Sequence, residues 1–158
     1  MQTLKRILLA EDDPNDVELT MRALATYKLA NAVHVVGDGA EALDYLFRRN
    51  AYADRPAGHP VVVLLDIKMP RVDGIEVLRQ IKADPDLHVI PVVILTSSRE
   101  ERDVIESYRL GVNAFVVKPV DFHGFVDAVK EVGLFWAMIN EAPPTVWTHD
   151  DQLSQRGK

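Results

Sequence analysis

Four short apolar runs in this chain close on a residue able to do chemistry. Ile7-Leu8-Leu9-Ala10 leads into Glu11-Asp12-Asp13, Val61-Val62-Val63-Leu64-Leu65 into Asp66, Val92-Val93-Ile94-Leu95 into Thr96, and Ala114-Phe115-Val116-Val117 into Lys118. Each group alone has an ordinary explanation. Acids between a strand and a helix commonly cap the helix or sit favourably at its dipole. Thr is a common strand residue, and a Lys at a strand end is usually solvated. Asp66 is harder to dismiss, because a carboxylate that closes an all-apolar strand is costly to bury without a partner. Together the residues form a kit for phosphoryl transfer: a carboxylate nucleophile, oxygen ligands for a hard divalent cation, an ammonium and a hydroxyl. Mg²⁺ takes carboxylate oxygens and water in near-octahedral geometry, and Asp12 and Asp66 are candidates for the two carboxylates. With Glu11, Asp12 and Asp66 ionised, Lys118 and one Mg²⁺ would formally neutralise the pocket. Without metal, the crowded carboxylates should raise one another's pKa values.

Such a kit needs a scaffold that brings distant strand ends together. Short β-branched runs alternate with stretches of helical period, the mark of βα units around a parallel sheet. The expected strands are 6–10, 32–36, 61–66, 92–96 and 114–118, mostly Val, Ile and Leu without alternation, as strands buried on both faces require. Asp38-Gly39-Ala40-Glu41, Asp73-Gly74-Ile75-Glu76 and Ser98-Arg99-Glu100-Glu101 each place a capping side chain three residues before a Glu. The first helix is expected over 15–27, with Val17, Met21 and Leu24 on one face, and the fifth over about 121–140. Residues 50–60, with Pro56, Gly58 and Pro60, read as an extended surface loop. The expected architecture is α/β: a five-stranded parallel doubly wound sheet, flavodoxin-like, in strand order 2-1-3-4-5. Its ligand crevice lies beyond the carboxyl ends of the strands, where the four chemical groups would converge.

Composition narrows the function further. The 158 residues suit one domain over 1–140 and a flexible tail over 141–158, which begins near Pro143-Pro144 and is too short for a DNA-binding fold. No apolar run approaches a membrane span and the N-terminus lacks a signal-peptide pattern, so a cytoplasmic location is expected. The absence of cysteine excludes disulfides and thiolate metal sites. A net charge of −6 argues against binding nucleic acid or an anionic membrane. The His residues at 34, 59, 88, 123 and 149 show no metal-ligand spacing, and no Walker or dinucleotide glycine pattern is present.

Four motifs in order carry a resemblance: Ile7-Leu8-Leu9-Ala10-Glu11-Asp12-Asp13, Leu65-Asp66-Ile67-Lys68-Met69-Pro70-Arg71-Val72-Asp73-Gly74, Ile94-Leu95-Thr96-Ser97-Ser98 and Gly111-Val112-Asn113-Ala114-Phe115-Val116-Val117-Lys118-Pro119. From about residue 5 to 140 the chain resembles the receiver domains of two-component response regulators. The resemblance implies that Asp66 accepts a phosphoryl group from a sensor histidine kinase and that Asp12 and Asp66 bind Mg²⁺ directly. It also implies that Lys68 adds its backbone carbonyl to the metal and that Glu11 acts through water. Thr96 would bond the phosphoryl oxygen, Phe115 would be an aromatic switch without a hydroxyl, and Lys118 would pair with the phosphoryl group. Lys118-Pro119 would be a cis peptide. Lys68 departs from the Asn that some receivers carry two residues after the acceptor, which leaves its side-chain role open. More narrowly, the loop before the third strand, Leu110-Gly111-Val112-Asn113, and Gly133-Leu134-Phe135-Trp136 resemble the stand-alone regulators paired with phytochrome-type kinases.

Two rivals come from other classes. Haloacid-dehalogenase-like phosphatases use a similar kit, but they want a second Asp as general acid two residues after the nucleophile, where this chain has Lys68. A phosphorylation-independent interaction module is the other. The fifth helix is apolar on more than one face, with Phe122, Phe125, Val126, Val129, Phe135 and Trp136, so a homodimer through helix four, strand five and helix five is expected.

Overall fold

The computed structural model describes residues 6–26, 29, 32–96, 106–118 and 120–131. Its centre is a parallel sheet of β1 (Ile7–Ala10), β2 (Val33–Val36), β3 (Val62–Asp66), β4 (Val92–Thr96) and β5 (Ala114–Val117), in the order β2-β1-β3-β4-β5. This is the expected order. Residues 6, 32, 61 and 118, expected at strand ends, fall outside the ladder. At one end Val61 N–H still bonds Arg6 C=O at 2.8 Å before regular pairing begins. Lys118 follows the last paired residue of the fifth strand, and its ammonium lies among acids.

β1 and β3 are buried along their whole length. The same does not hold at the edge, where Val33 and His34 of β2 are half-buried and Val35 is exposed. An edge strand has one neighbour and cannot be enclosed as a central one is.

Side-chain alternation divides the interior into two layers. Leu8, Ala10, Val63, Leu65 and Ile94 face one side, under α2 (Gly39–Phe47) and α3 (Gly74–Ala83), which contribute Leu43, Leu46, Val77, Leu78 and Ile81. Ile7, Leu9, Leu64 and Leu95 face the other, covered by Ala23 and Leu24 of α1 (Pro14–Ala25) and Phe125 of α5 (Phe122–Glu131). Each fully buried Leu, Ile or Phe contributes about 1.5–3 kcal/mol. Of α4, residues 106–109 are described.

The helix starts follow their caps. Asp38 Oδ1 accepts from Glu41 N–H at 2.8 Å, and Glu41 Oε2 reaches back to Gly37 N–H at 3.1 Å. Asp73 Oδ1 likewise accepts from Glu76 N–H at 2.8 Å. Asp13 caps α1 by accepting from Asn15 N–H at 2.8 Å and Asp16 N–H at 3.3 Å, so the helix begins at Pro14, one residue earlier than expected, and its regular part ends at Ala25. The cap at 98–101, the Lys118-Pro119 bond, helix five beyond 131 and the tail over 141–158 lie outside the described residues.

Residues 50–60 are not simply an extended surface loop. They open with a 3-10 turn over Asn50–Tyr52, and Arg55 is buried. Its Nε donates to Tyr45 C=O at 2.9 Å, its other arm to the Pro56 and Gly58 carbonyls at 3.2 and 3.0 Å, and the guanidinium lies over the Tyr45 ring. One side chain thus satisfies the loop backbone that water would otherwise serve.

Candidate functional site

The carboxyl ends of β1, β3 and β5 converge, and the sheet order explains why: β1 and β3 are neighbours, and β4 joins β3 to β5. Glu11 is placed by its own N–H, which bonds Val36 C=O at 3.0 Å, and its Oε1 accepts from Asp13 N–H at 3.1 Å. Glu11, Asp12 and Asp66 each offer an oxygen within 4.8 Å of the others. Lys118 closes the pocket. Its Nζ lies against Glu11 Oε2, 3.3 Å from Asp66 Oδ1 and 3.1 Å from Asp16 Oδ2.

Burial governs the charges here. Desolvation, with the Asp66 charge adding to it, pushes the Glu11 carboxyl up to about 7 against the pull of Lys118 and the Asp13 N–H. The Asp66 pKa is raised as well, by desolvation first and Asp12 second, again opposed by Lys118. Burial would lower the Lys118 pKa, but the Glu11, Asp66 and Asp16 carboxylates outweigh it and raise it to about 12. One ammonium cannot offset the acids around it. The surplus negative charge, carried by hard oxygen donors from two strand ends, fits a divalent cation.

The loop after β3 shapes the pocket's other wall. Gly74 N–H bonds Ile67 C=O at 2.7 Å, and a Cβ at Gly74 would overlap the carbonyl oxygen of Asp66 itself. Gly39, the first residue of α2, meets the same loop, since a Cβ there would overlap Val72 C=O. Arg71, in the left-handed region with φ 66°, holds Asp38 with a fork of 2.9 and 3.0 Å, which keeps the Asp38 carboxyl below its usual range. The α2 cap and the loop carrying Lys68 are therefore one unit.

Residues 7–130 match the model for the response regulator receiver domain. The chain belongs to the response-regulator receiver family. Response regulator Rcp1 of Synechocystis sp. is 39% identical over 132 residues, covering 84% of this chain and 88% of that protein. Its solved Mn²⁺-bound form aligns with a TM-score of 0.70 at 34% identity, over 90% of this chain and 99% of that one. The bacteriophytochrome response regulator RtBRR is 52% identical with a TM-score of 0.80, over 98% of this chain and 93% of its own. The bacteriophytochrome response regulator AtBRR is 57% identical with a TM-score of 0.79, over 89% and 100%. Receivers are in general phosphoacceptors rather than enzymes acting on a separate substrate.

In this receiver Glu11, Asp12, Asp66 and Lys118 come together as the sequence implied. Thr96 closes β4, which pairs β3 on one side and β5 on the other. Lys68 is exposed on the loop after Asp66. Phe115 is half-buried on β5, its ring centroid 4.8 Å from that of Tyr108 on α4. Asp13 proves to be a helix cap, the ordinary reading of an acid there, whereas Glu11 and Asp12 lie grouped with Asp66. Asp16 was missed. It reads as a first-turn helix acid, and nothing local shows that it meets Lys118, 102 residues away. Among the described residues, no helix is long and apolar enough to cross a membrane.

Proposed function

We propose that this receiver accepts a phosphoryl group on Asp66, in a Mg²⁺-dependent reaction with a histidine kinase, and signals through protein contacts in the cytoplasm. The carrying observation is Asp66 itself: a buried carboxylate at the end of β3, 3.3 Å from the Lys118 ammonium and grouped with Glu11 and Asp12. Asp12, Asp66 and the Lys68 backbone carbonyl would hold the metal, with Glu11 acting through water. When bound, Mg²⁺ supplies charge neutralisation for the phosphoryl oxygens.

An Asp66 oxygen forms a bond to phosphorus as the phosphorus–nitrogen bond of a phosphohistidine breaks, and the departing imidazole takes up a proton. Burial favours this step because the Asp66 carboxylate has few waters to shed. Lys118 pairs with the phosphoryl oxygens, and the Thr96 hydroxyl bonds one of them. Phe115 then repacks against Tyr108, carrying the change to the α4–β5 face. Tyr108 and Val117 are exposed there, which supports that face, continued by α5, as the surface of a homodimer.

The names of RtBRR and AtBRR as bacteriophytochrome response regulators support a phytochrome-type kinase as the donor. The Mn²⁺-bound form of Rcp1 supports a divalent ion in the pocket. Incubation with acetyl phosphate and Mg²⁺, followed by intact-mass measurement, tests the proposal. Wild type should gain one phosphoryl mass and Asp66→Asn none; labelling of the variant at the wild-type level would overturn it.

A further inference from the structure

Lys118 faces one more carboxylate than a receiver pocket of Glu11, Asp12 and Asp66 requires. Asp16 Oδ2 takes a hydrogen bond from Nζ at 3.1 Å, as close as the pairing with Asp66 at 3.3 Å. The two partners differ in kind. Asp66 ends a strand and sits in the acidic group that can hold a metal, whereas Asp16 lies outside that group, on the first turn of α1. The backbone of Asp16 is also fixed. Its own N–H bonds the Asp13 cap at 3.3 Å, and the next residue, Val17, bonds Asp13 C=O at 3.0 Å. The Lys118 ammonium carries three donors on a long stem and can share them among several acceptors.

We infer that Asp16 is a positioning residue that restrains phosphorylation, by holding Lys118 in competition with the phosphoryl group and by opposing the incoming anion. The inference rests on Asp66 being the phosphoacceptor. Before phosphorylation, Asp16 shares Lys118 with Glu11 and Asp66. Once Asp66 carries a phosphoryl group, its oxygens need the same ammonium, and each increment of Lys118 contact with them is taken from Asp16. The Asp16 charge, 3.1 Å from the same ammonium, also opposes an incoming dianionic donor, and Asp16 lies outside the acidic group that can hold a metal. Both effects have the same sign. At this partly solvated position one such charge is worth about a three- to tenfold change in the donor concentration needed.

The test compares wild type, Asp16→Asn and Asp16→Glu at saturating Mg²⁺. The acetyl phosphate concentration giving half-maximal labelling is read by intact mass, and the Lys118 ammonium is followed at fixed neutral pH by its ¹⁵N chemical shift. Asp16→Asn should lower the half-maximal concentration about three- to tenfold and move the Lys118 signal, because one of the carboxylates in contact with it is gone. Asp16→Glu, which keeps the charge, should return both readings toward wild type. A half-maximal concentration for Asp16→Asn equal to or above that of wild type, with Asp66 labelled in both, would overturn the inference alone. Absence of labelling in every variant, together with an unmoved Lys118 signal, would remove the inference and the Asp66 reading together. Absence of labelling with a moved Lys118 signal would remove the Asp66 reading, and the restraint with it, while leaving the ion pair.

Discussion

Replacing Lys118 by Met keeps much of the side-chain volume and removes the only cation that touches Asp66 and Glu11 among the described ion pairs. The side chains are 6% exposed for Lys118, 1% for Glu11 and 7% for Asp66. Loss of one partner from an ion pair this buried costs roughly 3–5 kcal/mol, because the remaining charges stay out of water uncompensated. For a chain of this size each 1 kcal/mol moves Tm by about 2–4 °C, so Lys118→Met should melt roughly 6–20 °C below wild type at neutral pH in chelator. The pH dependence has a definite sign. Glu11 and Asp66 have folded pKa values raised above their unfolded ones, so the folded state holds more protons between the two. Stability from this source therefore falls as pH rises from about 4.5 toward 7. Without Lys118 the carboxyls are pushed higher still, and the deficit of the variant should shrink on acidification toward pH 5. Mg²⁺ at a hundred times Kd should add about 2.7 kcal/mol to either protein that binds it. Thermal melts across pH, with chelator and with Mg²⁺, measure all of this. A Lys118→Met protein melting within about 3 °C of wild type in chelator at pH 7.5 would refute the claim that Lys118 compensates a buried acidic pocket.

Other perturbations follow from the same geometry. Gly74→Ala should cost about 3 kcal/mol, the upper end for an added methyl, because the overlapping atoms are the Asp66 and Ile67 backbone rather than a side chain that can swing away; denaturant melts would show it, alongside slower labelling of Asp66. Apparent Mg²⁺ affinity should fall about tenfold per pH unit below about 7, where Glu11 holds a proton that metal must displace. Glu11→Gln should flatten that dependence in a calorimetric titration. Asp12→Asn should weaken Mg²⁺ binding with the melting temperature little changed, since Asp12 is exposed and its loss removes a ligand without opening the core.

The strands and the four chemical groups were legible because each apolar run is closed by a residue that has no place in an apolar core. Parallel sheets enforce that pattern, since central strands are buried on both faces and their ends are where polarity returns. Asp66 after five apolar residues, and Lys118 after Val117, announce themselves in this way. Asp16 did not, because an acid in a first helical turn needs no further explanation and its partner is set only by the sheet order. Arg55 was hidden for the opposite reason: a loop rich in Pro and Gly reads as solvated, and its one long cation reads as solvated with it. The exposure of Val35 follows from β2 lying at the edge, a consequence of the expected strand order that the apolar composition of the run alone does not show.

Arg55 has a consequence for the order in which the molecule assembles. Among the described residues, the bonds that its guanidinium makes are to residues within ten positions in the chain, whereas the β1–β3 ladder joins residues some 55 apart, such as Ile7 and Val62. Closing a short loop costs less chain entropy than closing a long one. The segment from α2 through Pro60 is therefore a unit of low contact order that can form ahead of the central ladder. A nascent chain would have this corner fastened before β3 has emerged to pair with β1.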